Sequence, residues 1–128
     1  MTISLNHTIV PARDKHASAT FLAGVLGLEV EKPFGPFVPL HIGSVSLDFA
    51  DVDLADKGIT KIAPHHYAFE VSEEEFDRIF ARITEAGLDY YAEPHEPHRY
   101  GEINTWRSGR AVYFDDPDGH IMEVMTHS

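Results

Sequence analysis

The feature of this sequence that most constrains its fold is an internal repeat of about 60 residues. Each copy begins with a short strand pattern, LNHTIV in the first and HHYAFEV in the second, followed by a helix pattern that ends at a glycine. The two glycines are Gly27 and Gly87, and His7 and His66 occupy similar places in the opening strands. Such a period predicts a duplicated unit, and we expect neither copy to bury its sheet alone.

Both helix patterns have recognisable starts. In DKHASATFLAGVLG, Asp14 is a suitable N-cap, and the apolar stripe consists of Ala17, Phe21 and Val25. In SEEEFDRIFARITEAG, Ser72 and Glu75 form a capping box, and the acidic residues at the start favour a helix N-terminus. We therefore predict one helix in each half.

The strand patterns that follow the helices also match between the halves. Each glycine is followed by a strand pattern, GLEV or GLDYY, and two further strands close each half, FVPLHI with SVSLDFA and RAVYF with HIMEVMT. The turn DDPDGH joins AVYF to HIMEV as a hairpin. The pattern predicts two β-α-β-β-β modules within a single domain, at about residues 1–60 and 61–128.

Charge and composition narrow the function classes. Among 128 residues, 10 Lys and Arg face 21 Asp and Glu, a net charge of −11 that disfavours nucleic acid and anionic membranes as partners. The sequence has no cysteine, which excludes thiolate metal ligands and disulfides. The longest nearly apolar stretch is shorter than the ~20 residues of a membrane span, and no secretory signal is evident, so we expect a cytoplasmic protein that acts on a small molecule.

Equivalent positions of the two halves carry polar residues that suit a metal site. His7 matches His66, and alignment of SVSLDFA with HIMEVM matches Asp48 with Glu123. A carboxylate inside an apolar strand is costly unless it faces solvent, pairs with a cation or binds a metal. Two imidazoles and one or two carboxylates suit one divalent ion, Fe, Mn, Ni, Zn or Co, with positions left open for substrate.

Each of these residues, taken alone, also fits an ordinary role. A histidine at a strand end is commonly exposed or hydrogen-bonded, and Asp48 fits the solvent face of an antiparallel strand equally well. His65 and His66 are adjacent, and neighbouring side chains in a strand point to opposite faces. At most one of these two can therefore face a given interior.

The halves differ most in residues 92–110, AEPHEPHRYGEINTWRSGR. This segment exceeds the usual loop length, and long loops are often functional. We expect four of its side chains to form one wall of a substrate pocket, namely Tyr100, Trp106, Arg107 and Arg110. A further hypothesis is that the segment is a lid that orders over substrate; the alternative is a surface loop.

The motifs NHTIV, LGLEV, HYAFEV and YFDDPDGHIMEV together resemble the vicinal oxygen chelate superfamily: glyoxalase I, fosfomycin-resistance enzymes, extradiol dioxygenases and bleomycin-resistance proteins. The resemblance extends over essentially the whole chain. It implies an α+β fold in which two βαβββ modules form a cup-shaped mixed sheet around a metal ion, and it implies that the metal binds neighbouring oxygens of the substrate.

Position by position, the resemblance also implies a ligand set and catalytic residues. The metal ligands fall on His7, His66 and Glu123, so His66 should face the cup and His65 should face away. Asp48 falls at the fourth ligand position of glyoxalase I-like members, where it is a candidate ligand or general base. Tyr113 falls where some relatives place a tyrosine against the substrate, although strand packing explains it equally well.

The implied functions differ in their use of the metal. The first is a glyoxalase-type lyase or isomerase, in which Glu123 or Asp48 moves a proton and the metal stabilises an enediolate-like anion. The second is an Fe(II) dioxygenase of the ring-cleaving type with three protein ligands. The third is a fosfomycin-type resistance enzyme, and the fourth is a non-catalytic protein that sequesters a drug, as bleomycin-resistance proteins do. Small two-module relatives commonly form homodimers, sometimes with both chains building each site.

Overall fold

The computed structural model describes residues 2–52, 62–105 and 109–126. Within these residues, two helices and six strands follow in order: β1 (His7–Ala12), α1 (Lys15–Leu26), β2 (Phe37–Ile42), β3 (Val45–Asp51), β4 (His66–Glu70), α2 (Glu73–Glu85), β5 (Ala111–Asp115) and β6 (Ile121–Met125). The chain divides into two compact units, Met1–Ala63 and Pro64–Ser128. The fold class is α+β, as predicted, and the described residues of each unit contain one helix and one three-stranded mixed sheet.

In the first unit, the sheet has the order β1-β3-β2, with β1 parallel and β2 antiparallel to the central β3. The Asp14 side chain accepts a hydrogen bond from the Ala17 amide, and α1 ends at Gly27, whose φ of 76° lies in the left-handed region. The buried residues of this unit come from the helix and all three strands; they include Leu22, Val10, Val38, Leu40 and Phe49.

In the second unit, the sheet has the equivalent order β4-β6-β5, with β4 parallel and β5 antiparallel to β6. The Ser72 hydroxyl accepts a hydrogen bond from the Glu75 amide at 3.1 Å, so the predicted N-terminal cap of α2 is confirmed. Phe76, Ile79 and Ile83 form the buried face of this helix. No helix in the described part of the chain is long and apolar enough to cross a membrane.

The pairing schemes of the two sheets match residue for residue. In each parallel pair of strands, the histidine at the start of the first strand lies opposite the residue that precedes the acid by two positions. The residue two positions after that histidine lies opposite the acid. These pairs are His7 with Ser46 and Ile9 with Asp48, and His66 with Ile121 and Ala68 with Glu123. Side chains two residues apart share a sheet face. Each unit therefore places its histidine and its acid on one face of neighbouring strands.

The strands predicted directly after the helices are not regular strands. In the first unit, residues 28–33 are without strand structure, and the amide of Glu31 donates to the carbonyl of Pro39 at 3.0 Å. In the second unit, Tyr91 alone forms bridges, with Tyr100 and Tyr113. One or two backbone hydrogen bonds pin each segment beside the sheet, which is fewer than a continuous ladder requires.

Candidate functional site

The strongest candidate site lies in the second unit, where β4 and β6 bring His66 and Glu123 together. His66 Nε2 lies 3.0 Å from Glu123 Oε1. The Glu123 side chain is buried at 7% exposure, whereas that of His66 is 42% exposed. A carboxylate buried in an apolar strand needs a polar partner, and the imidazole provides one. The pair thus places a buried carboxylate oxygen beside a solvent-accessible imidazole, and both groups are potential metal ligands.

His65 lies on the other side of the strand, as the alternation of side chains predicts. Its Nδ1 is 2.7 Å from the hydroxyl of Tyr67, and its ring packs against that of His120 with centroids 4.8 Å apart. Burial is the main cause that lowers the pKa of His65, and the nearby His120 lowers it further. The two adjacent histidines are therefore in separate environments.

Tyr113 is next to the pair, as the β5–β6 hairpin requires. It lies opposite Glu123 in the antiparallel register, and its ring meets that of His66 edge-on at 6.0 Å. Its other neighbour is Tyr91, whose ring stacks on it at 5.9 Å. Only 3% of Tyr113 is exposed, so packing accounts for much of its surface, and its ring is nearly perpendicular to the imidazole.

In the first unit, His7 and Asp48 line one cavity of about 340 Å³. Its other lining residues are both apolar and polar, among them Phe34, Phe37, Lys32, His41 and Ser46. The Ser46 hydroxyl donates to Asp48 Oδ1 at 2.6 Å, which holds this half-buried carboxylate on the cavity side. Asp48 therefore borders a cavity, and its role as a ligand or general base stays a prediction.

The orientation of His7 suits metal binding through one particular nitrogen. His7 Nδ1 lies 2.8 Å from the side-chain oxygen of Asn6. An amide oxygen only accepts, so this contact places the ring proton on Nδ1 and presents Nε2 as the donor atom. Ligand histidines in metalloproteins are usually oriented by such a hydrogen bond from the other ring nitrogen.

The nitrogen and oxygen donors fit a divalent metal, but they do not form a complete site in this structure. The described residues contain no group of three His, Asp or Glu side chains placed to hold an ion. The second unit supplies one imidazole and one carboxylate within 3.0 Å, and the first supplies an oriented imidazole. Nitrogen and oxygen donors of this kind suit Fe, Mn, Co, Ni and Zn.

Of the pocket residues expected in the long loop, the structure places Tyr100 and Arg110; Trp106 and Arg107 lie outside the described residues. Tyr100 is 60% exposed and borders a cavity of about 210 Å³ with Tyr91 and Asp115. The guanidinium of Arg110 binds Glu73 at 2.8 Å and Asp77 at 2.9 Å, and it lies over the Phe76 ring. Arg110 is thus committed to α2, and we do not assign it to a substrate pocket.

Residues 92–105 of the same loop have an ordered internal structure. The buried carboxylate of Glu93 binds Arg99 through two nitrogens, Nε at 2.8 Å and Nη2 at 2.5 Å. His98 stacks on Tyr91 with ring centroids 3.9 Å apart. These contacts hold the segment together internally, and the lid hypothesis stays a prediction.

A buried polar cluster that the sequence did not predict lies behind the His66–Glu123 pair. His120 is fully buried, and its Nδ1 accepts the backbone amide of His65 at 2.9 Å. Asp116 Oδ1 accepts the amides of Asp118 and His120, while burial raises the pKa of this carboxyl. Burial also raises the pKa of Tyr67 to about 12. The turn DDPDGH was interpreted as a reversal only, and the available signal was a histidine directly before an apolar strand.

Comparisons with known proteins identify the relatives of this arrangement. A family model described as "Glyoxalase/Bleomycin resistance protein/Dioxygenase superfamily" matches residues 4–124. Among solved structures, "Oxidase ChaP-H2" is 53% identical and covers 100% of this chain and 96% of its own, with a TM-score of 0.91. "Oxidase ChaP-H1" is 50% identical over 99% of this chain and 98% of its own, with a TM-score of 0.90.

Curated relatives include proteins of fosfomycin resistance. "Glutathione transferase FosA" of Serratia marcescens is 29% identical over 97% of this chain and 81% of its own length. "Metallothiol transferase FosB" of Shouchella clausii is 39% identical, but that match spans 48% of this chain and 37% of the relative. The likeness to FosB is therefore local, whereas the likeness to FosA extends over nearly the whole chain.

Proposed function

We propose a function from one premise: the chain belongs to the glyoxalase/bleomycin resistance protein/dioxygenase superfamily. The function is that of a metal-dependent oxidase that uses O₂ on a small molecule with neighbouring oxygen atoms. The observation that carries it is the contact of His66 Nε2 with Glu123 Oε1 at 3.0 Å. The extent of the likeness to proteins named oxidases favours this alternative over the glyoxalase-type reaction expected first, which is not confirmed.

The proposed ligands are His7, His66 and Glu123. Two histidines and one carboxylate form the facial triad of non-haem Fe(II) oxygenases, which leaves positions for substrate and O₂. When bound, such a metal would supply the redox chemistry with O₂. The equivalent registers of β1 with β3 and of β4 with β6 support a shared origin for the two histidine positions.

The chain's own residues have three proposed roles around that centre. Asp48, held by Ser46, accepts a proton from a substrate hydroxyl as a general base. The edge of Tyr113, beside His66, orients the substrate. The cavity that His7 and Asp48 border takes the organic part of the substrate against Phe34 and Phe37.

The second candidate is a transferase of the fosfomycin-resistance type, which the near full-length match to FosA favours. Such a reaction would use the same ligands as a Lewis-acid site and would not consume O₂. In a glyoxalase-type reaction at the same site, Asp48 would be the residue that moves the proton. For either reaction, a homodimer would be the expected assembly, because this superfamily commonly forms one.

One experiment separates these reactions. The chain would be loaded with Fe(II) under nitrogen and then exposed to O₂ with a panel of catechols, hydroquinones and α-hydroxyketones while dissolved O₂ is measured. We expect iron-dependent O₂ uptake with at least one aromatic diol. Thiol loss from glutathione with fosfomycin, or deuterium exchange into a hydroxyketone under nitrogen, without O₂ uptake in any mixture, would contradict the oxidase.

A further inference from the structure

Both backbone groups of His65, just before β4, form hydrogen bonds, and one of the two partners is a side chain. The carbonyl of His65 accepts the amide of Ile121 at 2.8 Å, which is a normal contact between β4 and β6. The amide of His65 donates instead to Nδ1 of the His120 ring at 2.9 Å. His65 and His120 are 55 positions apart, so this bond adds one side-chain contact to the β4–β6 ladder at the start of the candidate site.

The turn before β6 explains why a side chain takes this place. The amide of Asp116 donates to the carbonyl of His120 at 2.9 Å, and the amide of Gly119 donates to the carbonyl of Asp116 at 3.0 Å. Gly119 has a φ of 86°, the left-handed conformation that tight turns require. The backbone thus leaves the sheet just before Ile121. The His120 ring, in place of a backbone carbonyl, accepts the hydrogen bond from the amide of His65.

The ring of His120 is fixed from several directions. It is fully buried, it packs against the His65 ring at 4.8 Å, and it meets the Tyr67 ring edge-on at 6.3 Å. Its own backbone amide donates to Asp116 Oδ1 at 2.8 Å. A ring held in this way keeps its acceptor nitrogen aimed at the amide of His65, one residue before the proposed ligand His66.

We propose that His120 is a positioning residue for the His66–Glu123 pair: its Nδ1 extends the β4–β6 pairing by one residue and so fixes where the His66 ring points. This inference rests on the proposed metal site and names a residue that acts on it from behind the sheet. The same hydrogen bond places the proton of a neutral His120 ring on Nε2, because Nδ1 must accept.

The test uses three substitutions of His120 that differ in whether, and at what distance from the backbone, the new side chain can accept a hydrogen bond from the amide of His65. In His120→Asn, the side-chain oxygen is the same number of bonds from the backbone as Nδ1, so it can accept from His65. In His120→Gln, the acceptor is one bond further out, and His120→Leu offers none. Loss of a partner that orients a metal ligand typically costs roughly 10–100-fold in metal affinity.

The measurements on the full-length chain are the Ni(II) dissociation constant, the visible spectrum with Co(II), and the exchange rate of the His65 amide without metal. We expect His120→Asn to keep the wild-type spectrum and an affinity within a few-fold of wild type. His120→Gln and His120→Leu should bind Ni(II) roughly 10–100-fold more weakly. A core variant, Ile83→Val, controls for a general loss of stability.

Several outcomes would overturn the proposal. One is wild-type affinity in His120→Leu, and another is equal damage in His120→Asn and His120→Leu. If the wild-type chain binds neither Ni(II) nor Co(II), the proposed metal function fails, and amide exchange decides the positioning role separately. Faster exchange of the His65 amide in His120→Gln than in His120→Asn supports that role, whereas equal rates refute it.

Discussion

At the scale of single residues, Asp116 has an environment that makes stability depend on pH. Its Oδ2 is buried without a hydrogen-bond partner among the described residues, and burial raises the pKa of its carboxyl above the ordinary 3.8. The neighbouring residues are His120, which lowers the pKa through its amide and its nearby ring, and Asp118, whose amide lowers the pKa while its carboxylate raises it. Burial is the larger effect, so the folded state disfavours the ionised carboxylate.

We expect Asp116→Asn to remove a loss of stability that wild type suffers as the pH rises. An unfolded aspartate ionises near 3.8, whereas the folded one retains its proton to higher pH. Between these two pKa values the folded state binds more protons than the unfolded state, so the free energy of unfolding falls with rising pH. Asparagine keeps the acceptor for the amides of Asp118 and His120.

The measurement is urea unfolding of both proteins from about pH 3.5 to 7. As the pH rises through this range, the free energy of unfolding of the variant should increase relative to that of wild type. A difference that is constant with pH, or that moves in favour of wild type, would contradict the assigned direction.

The sequence predicted residue faces better than residue contacts. The opposite environments of His65 and His66 follow from the period of a strand alone. The role of His120 depends on a ring orientation relative to an amide 55 positions away, and no local pattern encodes that geometry. Asn6 was missed for a similar reason, because its bond to His7 is a matter of rotamer.

At the scale of elements, Glu93 and Arg99 stabilise the loop between α2 and β5. Glu93 is buried at 6% exposure and binds Arg99 in a bidentate manner, whereas Glu102 binds the same guanidinium at 3.2 Å from an exposed position. Charge-assisted bidentate contacts are stronger than single exposed ones. The two glutamates are therefore a matched pair for testing what orders this loop.

We expect Glu93→Gln to speed cleavage by chymotrypsin after Tyr100 several-fold, because the loop opens more often once the clamp is weakened. Glu102→Gln should leave the rate near that of wild type. The readout is the rate of appearance of the two fragments by mass spectrometry. Equal rates in the two variants would show that the clamp does not order the loop.

Caps and turns were predicted more reliably than helix faces. Asp14, Ser72 and Glu75 occupy the predicted cap positions, since a cap depends on a few consecutive residues. The predicted stripe of α1 is partly wrong: Val25 is buried as predicted, but Ala17 is exposed and Phe21 is half-buried. The other buried residues of this helix are Ser18, Ala19, Leu22 and Ala23. A helix that is apolar on most sides does not define its own buried face.

At the scale of the whole molecule, the duplication explains why the candidate ligands are distant in sequence. Each unit repeats one register, and that register sets an imidazole and an acid on the same face of neighbouring strands. The period near 60 was visible in the sequence because glycines and histidines recur at it. The choice of reaction was not visible, because O₂ chemistry and proton transfer use the same ligand types.

The central claim is that His7, His66 and Glu123 hold one divalent ion. Its most direct test is the stoichiometry and affinity of Ni(II) binding, measured by calorimetry on wild type, the three alanine variants of these residues, and His65→Ala. Loss of a residue that only hydrogen-bonds a ligand typically lowers metal affinity roughly 10–100-fold, so removal of a ligand itself should lower the affinity at least as much. We predict one ion per chain in wild type and in His65→Ala, and severe loss in each of the other three. Equal affinities for His65→Ala and His66→Ala, or full binding without His7, would contradict the account.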